Sequence, residues 1–164
     1  MSGVFERNRD MSRVEWVWTA REIRHEVDSL AKSEKVIPKA ARFTHATRLC
    51  EHGANLVYEV RRAYLHYPNT PRGVIDRKKY FQRAIDNCWF IVEDLQNIKD
   101  EGYPVNVNRF DRIADLLDKE IRLLTSWKRN TKLTGKATIE QRIEQKQLEI
   151  AALQDLAATS EPAN

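Results

Sequence analysis

Glu22 and His25 form a possible di-metal element in the 164-residue sequence. Their Glu-x-x-His spacing places a carboxylate and an imidazole on one face of a helix, as in di-metal carboxylate sites. Such a site also needs a second copy of the pair and two further carboxylates that face the same core, and the sequence has no second Glu-x-x-His. We therefore interpret Glu22 and His25 as a surface pair, and a metal enzyme built on them is the weakest hypothesis.

Motifs for nucleophilic catalysis and for nucleotide binding are missing from the sequence. It contains no GxxxxGK[ST] loop, no GxGxxG and no GxSxG. The other histidines (His45, His52 and His66) lack partners at zinc-ligand spacing, and Cys50 and Cys88 are too far apart for a Cys-x-x-Cys site. Both cysteines fall on apolar stripes, where a thiol packs as a small hydrophobe. The sequence therefore predicts a protein that is not an enzyme and that holds no cofactor.

Basic residues are concentrated in one part of the chain. The formal net charge is +4, but residues 35–83 sum to +8 and residues 134–164 sum to −2. The run Arg77-Lys78-Lys79 follows the proline-rich loop 66–73, at a helix N-terminus where the helix dipole disfavours cations. Clustered cations bind phosphates by releasing condensed counterions, and the planar guanidinium grips two phosphate oxygens at once. This pattern favours nucleic-acid binding. The tyrosines near the run that could stack on unpaired bases are Tyr64, Tyr67 and Tyr80.

Four long segments with helical periodicity must position these residues. A capping box of Ser12 and Glu15 opens the first helix, and the second begins around Pro38. The third runs from about Ile75 to a glycine stop at Gly102. The apolar residues that these stripes place in the core include Trp16, Ala20, Ile23, Val27 and Leu30 in the first helix, Phe43, Leu49, Leu56, Val60, Tyr64 and Tyr67 in the second, Phe81, Ala84, Cys88, Trp89, Ile91, Val92, Leu95 and Ile98 in the third, and Ile113, Leu117, Ile121 and Leu124 in the fourth.

Short connections between amphipathic helices predict an all-α fold, an up-down-up-down antiparallel four-helix bundle with an additional C-terminal helical segment. The alternative is an open helical array that a partner completes. We expect an N-terminal arm (1–11), a bundle domain (12–132) and a C-terminal extension (133–164) with a helix and a disordered tail. The extension's apolar stripe is narrow and interrupted by Lys146, so it either docks on another surface or frays. The residues of that stripe are Ile139, Ile143, Ile150, Leu153 and Ala157.

The predicted topology gathers basic residues at one end of the bundle. The start of the first helix, the end of the second, the start of the third and the end of the fourth share that end, and acidic residues collect at the other. The alternative is that the cations only decorate solvated helix faces. The predicted nucleic-acid-binding residues are Arg61, Arg62, Arg72, Arg77, Lys78, Lys79, Arg83, Arg122, Lys128 and Arg129, with Arg13 and Lys132 at the same end. The acidic residues of the opposite end are Glu93, Asp94, Asp100, Glu101, Asp111 and Asp115.

Two stretches resemble a known family. Residues 37–49 read IPKAARFTHATRL, which is similar to the P-K-x-x-R-F-T-x-x-x-R-[IL] start of the second helix in the Avd (accessory variability determinant) family of diversity-generating retroelements. Residues 110–121 read FDRIADLLDKEI and are followed by Trp127-Lys128, which resembles the end of that family's fourth helix. The likeness covers about residues 14–130. The extension from about Gly135 has no counterpart in it.

The resemblance implies a fold, partners and a role. Avd-like proteins are four-helix bundles, related to the proteins encoded in ribosomal RNA intervening sequences, that assemble as pentameric barrels. They bind the retroelement's reverse transcriptase and its template RNA, and they support mutagenic cDNA synthesis and retrohoming without catalytic activity of their own. The resemblance therefore implies reverse transcriptase, template RNA and further copies of this chain as partners. The basic positions that it carries over are Arg61, Arg62, Arg77, Lys78, Lys79 and Arg83.

The second hypothesis is a protein–protein interaction or oligomerisation bundle that does not bind nucleic acid. In that case the C-terminal segment docks a partner helix. As to location, two cysteines are too few for a disulfide scaffold, no apolar run approaches the roughly 18 residues of a membrane span, and the N-terminus has no apolar signal core. We expect a cytoplasmic protein that does not associate with membranes.

Overall fold

The computed structural model describes residues 14–102, 108–134 and 139–159, and in these ranges the chain forms five α-helices and no β-strand. The helices are α1 (Glu15–Lys32), α2 (Thr47–Leu65), α3 (Pro71–Asp100), α4 (Asn108–Asn130) and α5 (Ile139–Thr159). The predicted all-α fold is confirmed. The N-terminal arm, Ser12 of the capping box, Arg13 and the tail after Thr159 lie outside the described residues.

Helices α1 to α4 contact one another in cyclic order, since α1 lies against α2 and α4, and α3 lies against the same two helices. The centroid of the Trp16 ring, at the start of α1, is 6.3 Å from that of Tyr64, 5.1 Å from that of Phe81 and 6.1 Å from that of Trp127. These partners stand at the end of α2, near the start of α3 and at the end of α4. The contacts are compatible with an up-down-up-down bundle. We call this part of the molecule the Trp16 end.

The apolar stripes of α1 and α3 lie in the core as predicted, because spacings of three and four residues return side chains to one face of a helix. Each large apolar side chain that is fully buried stabilises the fold by roughly 1.5–3 kcal/mol. Burial also raises the pKa of the Cys88 thiol above its ordinary value, since an apolar environment disfavours the thiolate. The buried stripe residues are Trp16, Ala20, Ile23, Val27 and Leu30 on α1, and Phe81, Ala84, Cys88, Ile91, Leu95 and Ile98 on α3.

The start of α2 differs from the prediction. Instead of one helix from about Pro38, a 3₁₀ turn (Lys39–Ala41) and a π-helical turn (Arg42–Ala46) precede α2. A π turn holds more residues than an α turn, so it shifts the phase of the stripe. Phe43, predicted in the core, is therefore 90% exposed, while its neighbour His45 is buried and bonded to Glu101 (Nε2 to Oε2, 2.9 Å).

The predicted core stripes were also too broad on α3 and at the end of α2. Trp89 and Val92 on α3 are exposed, at 56% and 37%, because α3 contacts its neighbours along the narrower face that carries Cys88. Tyr64 at the end of α2 and Tyr67 just after it are also exposed. Exposed aromatic rings of this kind are available for contacts outside the helical core.

Two carboxyl groups lie where only apolar side chains were expected. Asp94 on α3 is buried, forms an ion pair with Arg48 (3.1 Å) and is hydrogen-bonded to Nδ1 of His52 (2.6 Å). Glu120 on α4 is fully buried, and neither carboxyl oxygen has a hydrogen-bond partner among the described residues. Desolvation raises the pKa of Glu120 to about 9, against a smaller lowering by Lys119, so its carboxyl group is protonated at neutral pH.

Helix α5 lies against α3 with its polar side inward. Gln145, Leu148 and Glu149 are half-buried, whereas Ile143 and Ile150 of the predicted apolar stripe are exposed. The structure therefore does not show this apolar stripe docked on the rest of the chain. No helix in the described ranges combines the length and the apolar character that a membrane span requires.

Gly53 lies where α2 packs closely against α1. A Cβ atom added at Gly53 would lie 3.2 Å from Cγ1 of Val27. We expect Gly53→Leu to lower the free energy of unfolding by about 1–3 kcal/mol, because a larger side chain forces the two helices apart. Urea denaturation followed by circular dichroism measures the change. Asn55→Leu, on the exposed side of the same helix, should stay within about 0.5 kcal/mol of the wild type, and an unchanged Gly53→Leu variant would contradict the close contact.

Candidate nucleic-acid interface

The predicted binding residues are distributed over α2, α3 and α4 at the Trp16 end. The ring contacts of Trp16 bring the end of α2, the first part of α3 and the end of α4 together, and the segment after α4 is fastened to the loop before α3. In that segment Thr134 donates two hydrogen bonds to the carbonyl oxygen of Pro68, from its backbone N–H (2.8 Å) and from its hydroxyl (3.0 Å). These contacts hold the basic turns from separate helices near one another.

Some of the predicted residues are paired with carboxylates of their own helix. Arg62 lies 3.0 Å from Glu59 and Arg72 lies 3.2 Å from Asp76, each measured from nitrogen to oxygen. Arg122 pairs with Asp118 in the same way. Exposed pairs at these spacings stabilise a helix by a few tenths of a kcal/mol at most. They matter more for binding, since a paired guanidinium attracts phosphate less strongly than an unpaired one.

Two further cations are engaged within the fold. Arg77 is half-buried with its guanidinium carbon 5.6 Å from the centroid of Phe81, and its Nε has no hydrogen-bond partner among the described residues. Desolvation lowers the pKa of Arg77 from its usual value, while Tyr67 raises it. Lys128 donates a hydrogen bond to the side-chain oxygen of Gln82 (2.5 Å). These side chains are less accessible to a phosphate than the surrounding cations.

The remaining predicted residues have no ion-pair partner in the part of the chain that the structure describes. Lys79 and Arg83 are exposed on α3, and Lys78 is half-buried beside them. Lys132, in the segment after α4, is also exposed and forms no ion pair among the described residues. An unpaired cation can bind phosphate without first breaking an ion pair. Besides Arg77 and Lys128, the cations of the Trp16 end that form no ion pair among the described residues are Arg61, Lys78, Lys79, Arg83, Arg129 and Lys132, and we call these six the unpaired cations.

Aromatic rings flank these cations on the α1–α2 side. The guanidinium carbon of Arg61 is 5.7 Å from the centroid of Tyr64, and that of Arg21 is 5.0 Å from the centroid of Trp18. The four side chains line a pocket of about 160 Å³, and both rings are partly exposed. Exposed rings and guanidinium planes are surfaces on which unpaired bases stack.

The sequence predicts a role for Tyr64 in stacking, but it does not predict that Arg21 lines the same pocket. Arg21 lies in a segment whose net charge is negative, and only the contact between α1 and α2 places it beside Arg61. The available signal was Trp18, which stands off the apolar stripe of α1. Tyr80 has other partners, since it lies 4.7 Å from His66 and 5.8 Å from the guanidinium carbon of Arg62.

The opposite end of the molecule is less acidic than its sequence indicates. Asp94 is ion-paired with Arg48 and hydrogen-bonded to His52, and Glu101 is hydrogen-bonded to His45. The Glu22–His25 pair lies on the surface, where Glu22 accepts a hydrogen bond from Arg112 (3.1 Å). Within the described ranges no three His, Cys, Asp or Glu side chains come together as a metal-binding group.

The fold and this surface define an all-α protein with a basic, aromatic-flanked end. Comparison with known proteins adds no relative: no family model matches the sequence, and no curated protein and no solved structure match it.

Proposed function

We propose that this chain is a non-enzymatic accessory subunit that binds RNA through the Trp16 end. The observation that carries the proposal is the group of cations without carboxylate partners among the described residues at that end, of which Arg61, Lys79, Arg83, Arg129 and Lys132 are exposed. Phosphates bound there gain free energy from counterion release. The exposed rings of Trp18 and Tyr64 offer stacking surfaces next to the cations, which favours single-stranded or looped RNA over a regular duplex.

The resemblance to the Avd family supports a more specific role. We infer that the RNA is the template RNA of a diversity-generating retroelement, that the protein partner is its reverse transcriptase, and that the chain acts as a homo-oligomer in mutagenic cDNA synthesis and retrohoming. The resemblance rests on residues 37–49 and 110–128. A reverse-transcriptase gene beside this one, with a pair of near-identical repeats, is the expected genomic arrangement. Its absence would remove the retroelement from the proposal and leave RNA binding to be judged by direct measurement.

RNA affinity should depend steeply on salt. If about five of the unpaired cations each contact one phosphate, the logarithm of the association constant should fall with the logarithm of salt concentration with a slope of about −3.5. Between 50 and 200 mM KCl this slope means a loss of about 100-fold. Fluorescence anisotropy with a labelled 20-nucleotide RNA measures the effect. Absence of binding at 50 mM KCl, or binding that salt leaves unchanged, would contradict the proposal.

A second candidate is the protein-interaction or oligomerisation module. The exposed apolar residues of α5, among them Ile139 and Leu153, are the observation that favours it. This candidate predicts no RNA affinity at low salt and a change in molecular mass or in bound protein when residues 135–164 are deleted. Light scattering on the full chain and on the truncated chain, together with the RNA titration, separates the two candidates.

A further inference from the structure

A cleft of about 420 Å³ lies between α5 and the Trp16 end. Four basic side chains from separate parts of the chain line it: Lys78 on α3, Arg129 at the end of α4, Lys132 in the following segment and Arg142 on α5. None of the four forms an ion pair within the ranges that the structure describes. Four cations that share one cleft repel each other, so an anion between them would lower the electrostatic energy.

The segment that carries Lys132 is held in place before any ligand binds. The hydroxyl of Thr131 donates to the carbonyl oxygen of Trp127 (2.7 Å), and Thr134 is bonded to Pro68. These bonds fasten both ends of the segment to neighbouring elements. A preformed arrangement reduces the conformational entropy that binding must overcome.

The orientation of α5 is the second observation that points to this cleft. Apolar burial explains little of how α5 lies, because Ile143 and Ile150 are exposed while Gln145 and Glu149 are half-buried together with Leu148. The half-buried side presents Arg142 and Gln145 to the cleft. It also presents Glu149, a carboxylate that is already paired with Lys146 outside the cleft lining (3.3 Å). The basic character of the cleft is thus maintained.

We propose that this cleft binds a phosphate group of the RNA strand, and that the C-terminal helix supplies Arg142 to it. This inference rests on the proposed function and extends the RNA site from α2, α3 and α4 to α5. Guanidinium groups from α4 and α5 approach the phosphate from two sides, and each can donate two hydrogen bonds to its oxygens. The two lysines add point charges from α3 and from the segment after α4. The extension therefore contributes to binding even though residues 134–164 have a net charge of −2.

The first test compares two variants of the full chain that change the net charge equally. Arg142→Gln removes a cation from the cleft, whereas Gln147→Glu adds an acid at an exposed position of α5 outside the cleft lining. At 100 mM KCl we expect Arg142→Gln to weaken binding of the 20-nucleotide RNA about fivefold and to reduce the salt slope by about 0.7, as the loss of one phosphate contact predicts. Gln147→Glu should change the affinity less than twofold.

The second test seeks a gain in affinity, which a folding defect cannot produce. Glu149→Gln removes the carboxylate from the cleft and should tighten RNA binding two- to threefold. Glu140→Gln, an exposed change of equal charge on the same helix, should leave the affinity within twofold of the wild type. If both variants tighten binding equally, net charge rather than the cleft determines the effect, and the proposal is overturned.

A free phosphate compound is the other possible source of this chemistry. Inorganic pyrophosphate titrated by calorimetry tests it directly. Tight pyrophosphate binding that Arg142→Gln abolishes, with RNA affinity unchanged, would assign the cleft to a free diphosphate and overturn the RNA occupant. If the wild type binds RNA with a steep salt dependence but the Arg142→Gln and Gln147→Glu variants have the same RNA affinity, the cleft site is overturned while the proposed function stands. No RNA binding by the wild type would contradict the proposed function itself.

Discussion

Glu120→Gln should raise the free energy of unfolding by roughly 3–5 kcal/mol at pH 8 and by less than about 1 kcal/mol at pH 5. The wild-type carboxyl group is fully buried and has no hydrogen-bond partner among the described residues. Glutamine has nearly the same shape but cannot ionise, so it removes the free energy that ionisation of Glu120 gives to the unfolded chain.

The sign follows from the two pKa values of Glu120. Burial raises the folded-state pKa to about 9, from an ordinary value of 4.5. Between these values the unfolded chain has lost the proton and the folded chain retains it, so the wild type loses stability as the pH rises. The contribution is fully present below about pH 4.5 and is lost as the pH rises through 9. The variant lacks this slope.

Urea denaturation of both proteins at pH 5, 6, 7 and 8 gives the two profiles. Asp115→Asn is the matched control, because Asp115 is an exposed carboxylate on the same helix, and its profile should run parallel to that of the wild type. Parallel profiles for Glu120→Gln and the wild type would show that the carboxyl group reaches solvent or a partner.

Replacing Lys78, Lys79 and Arg83 together by Gln should weaken RNA binding by about 100-fold at 100 mM KCl and reduce the salt slope by about two. The three residues lie in the first half of α3 and form no ion pair among the described residues, and unlike Arg77 they do not lie against Phe81. Each contact with a single-stranded phosphate contributes about fivefold at this salt concentration. Because all three side chains are at least partly exposed, the substitutions should leave the thermal unfolding midpoint close to that of the wild type.

A matched triple variant separates site from net charge. Arg62, Arg72 and Arg122 lie at the same end and lose the same total charge when replaced by Gln, but each is paired with a carboxylate. We expect this second triple variant to lose less than about fivefold in affinity. Equal losses in the two variants would mean that binding follows the overall charge of the protein and not the unpaired cations.

The sequence was sufficient for the properties that depend on neighbours along the chain. The periodicity of α1 and α3 identified their buried faces, and the glycine after α3 was correctly read as its end, since Gly102 has a positive φ of 74°. A helix stop of this kind depends on the local preference of glycine for the left-handed region, which needs no knowledge of the rest of the fold. The basic character of residues 35–83 also follows directly from the sequence.

The candidate site was predicted only in outline. Its cations were named from the sequence, but not which of them remain unpaired, because whether Arg72 bonds Asp76 depends on rotamers and solvent exposure rather than on composition. The cleft residue Arg142 was missed, since the acidic balance of the extension gave no reason to place it beside Arg129. A cleft formed by α3, the end of α4, the segment after α4 and α5 leaves no motif of its own.

Tertiary contacts decided the properties that depend on distant parts of the chain. Glu120 follows Leu117 by three residues and precedes Leu124 by four, so it lies on the apolar stripe of α4. From the sequence alone a carboxylate at this position is expected on the surface, and only the packing of the neighbouring helices buries it. The π turn at Arg42–Ala46 exposes Phe43 for a similar reason, since the burial of His45 against Glu101 requires a different phase from that of α2. Local periodicity reports which face a helix prefers to bury. Which helices pack against that face, and which charged side chains they place near it, depends on contacts between residues far apart in the sequence. No short stretch of sequence contains that information.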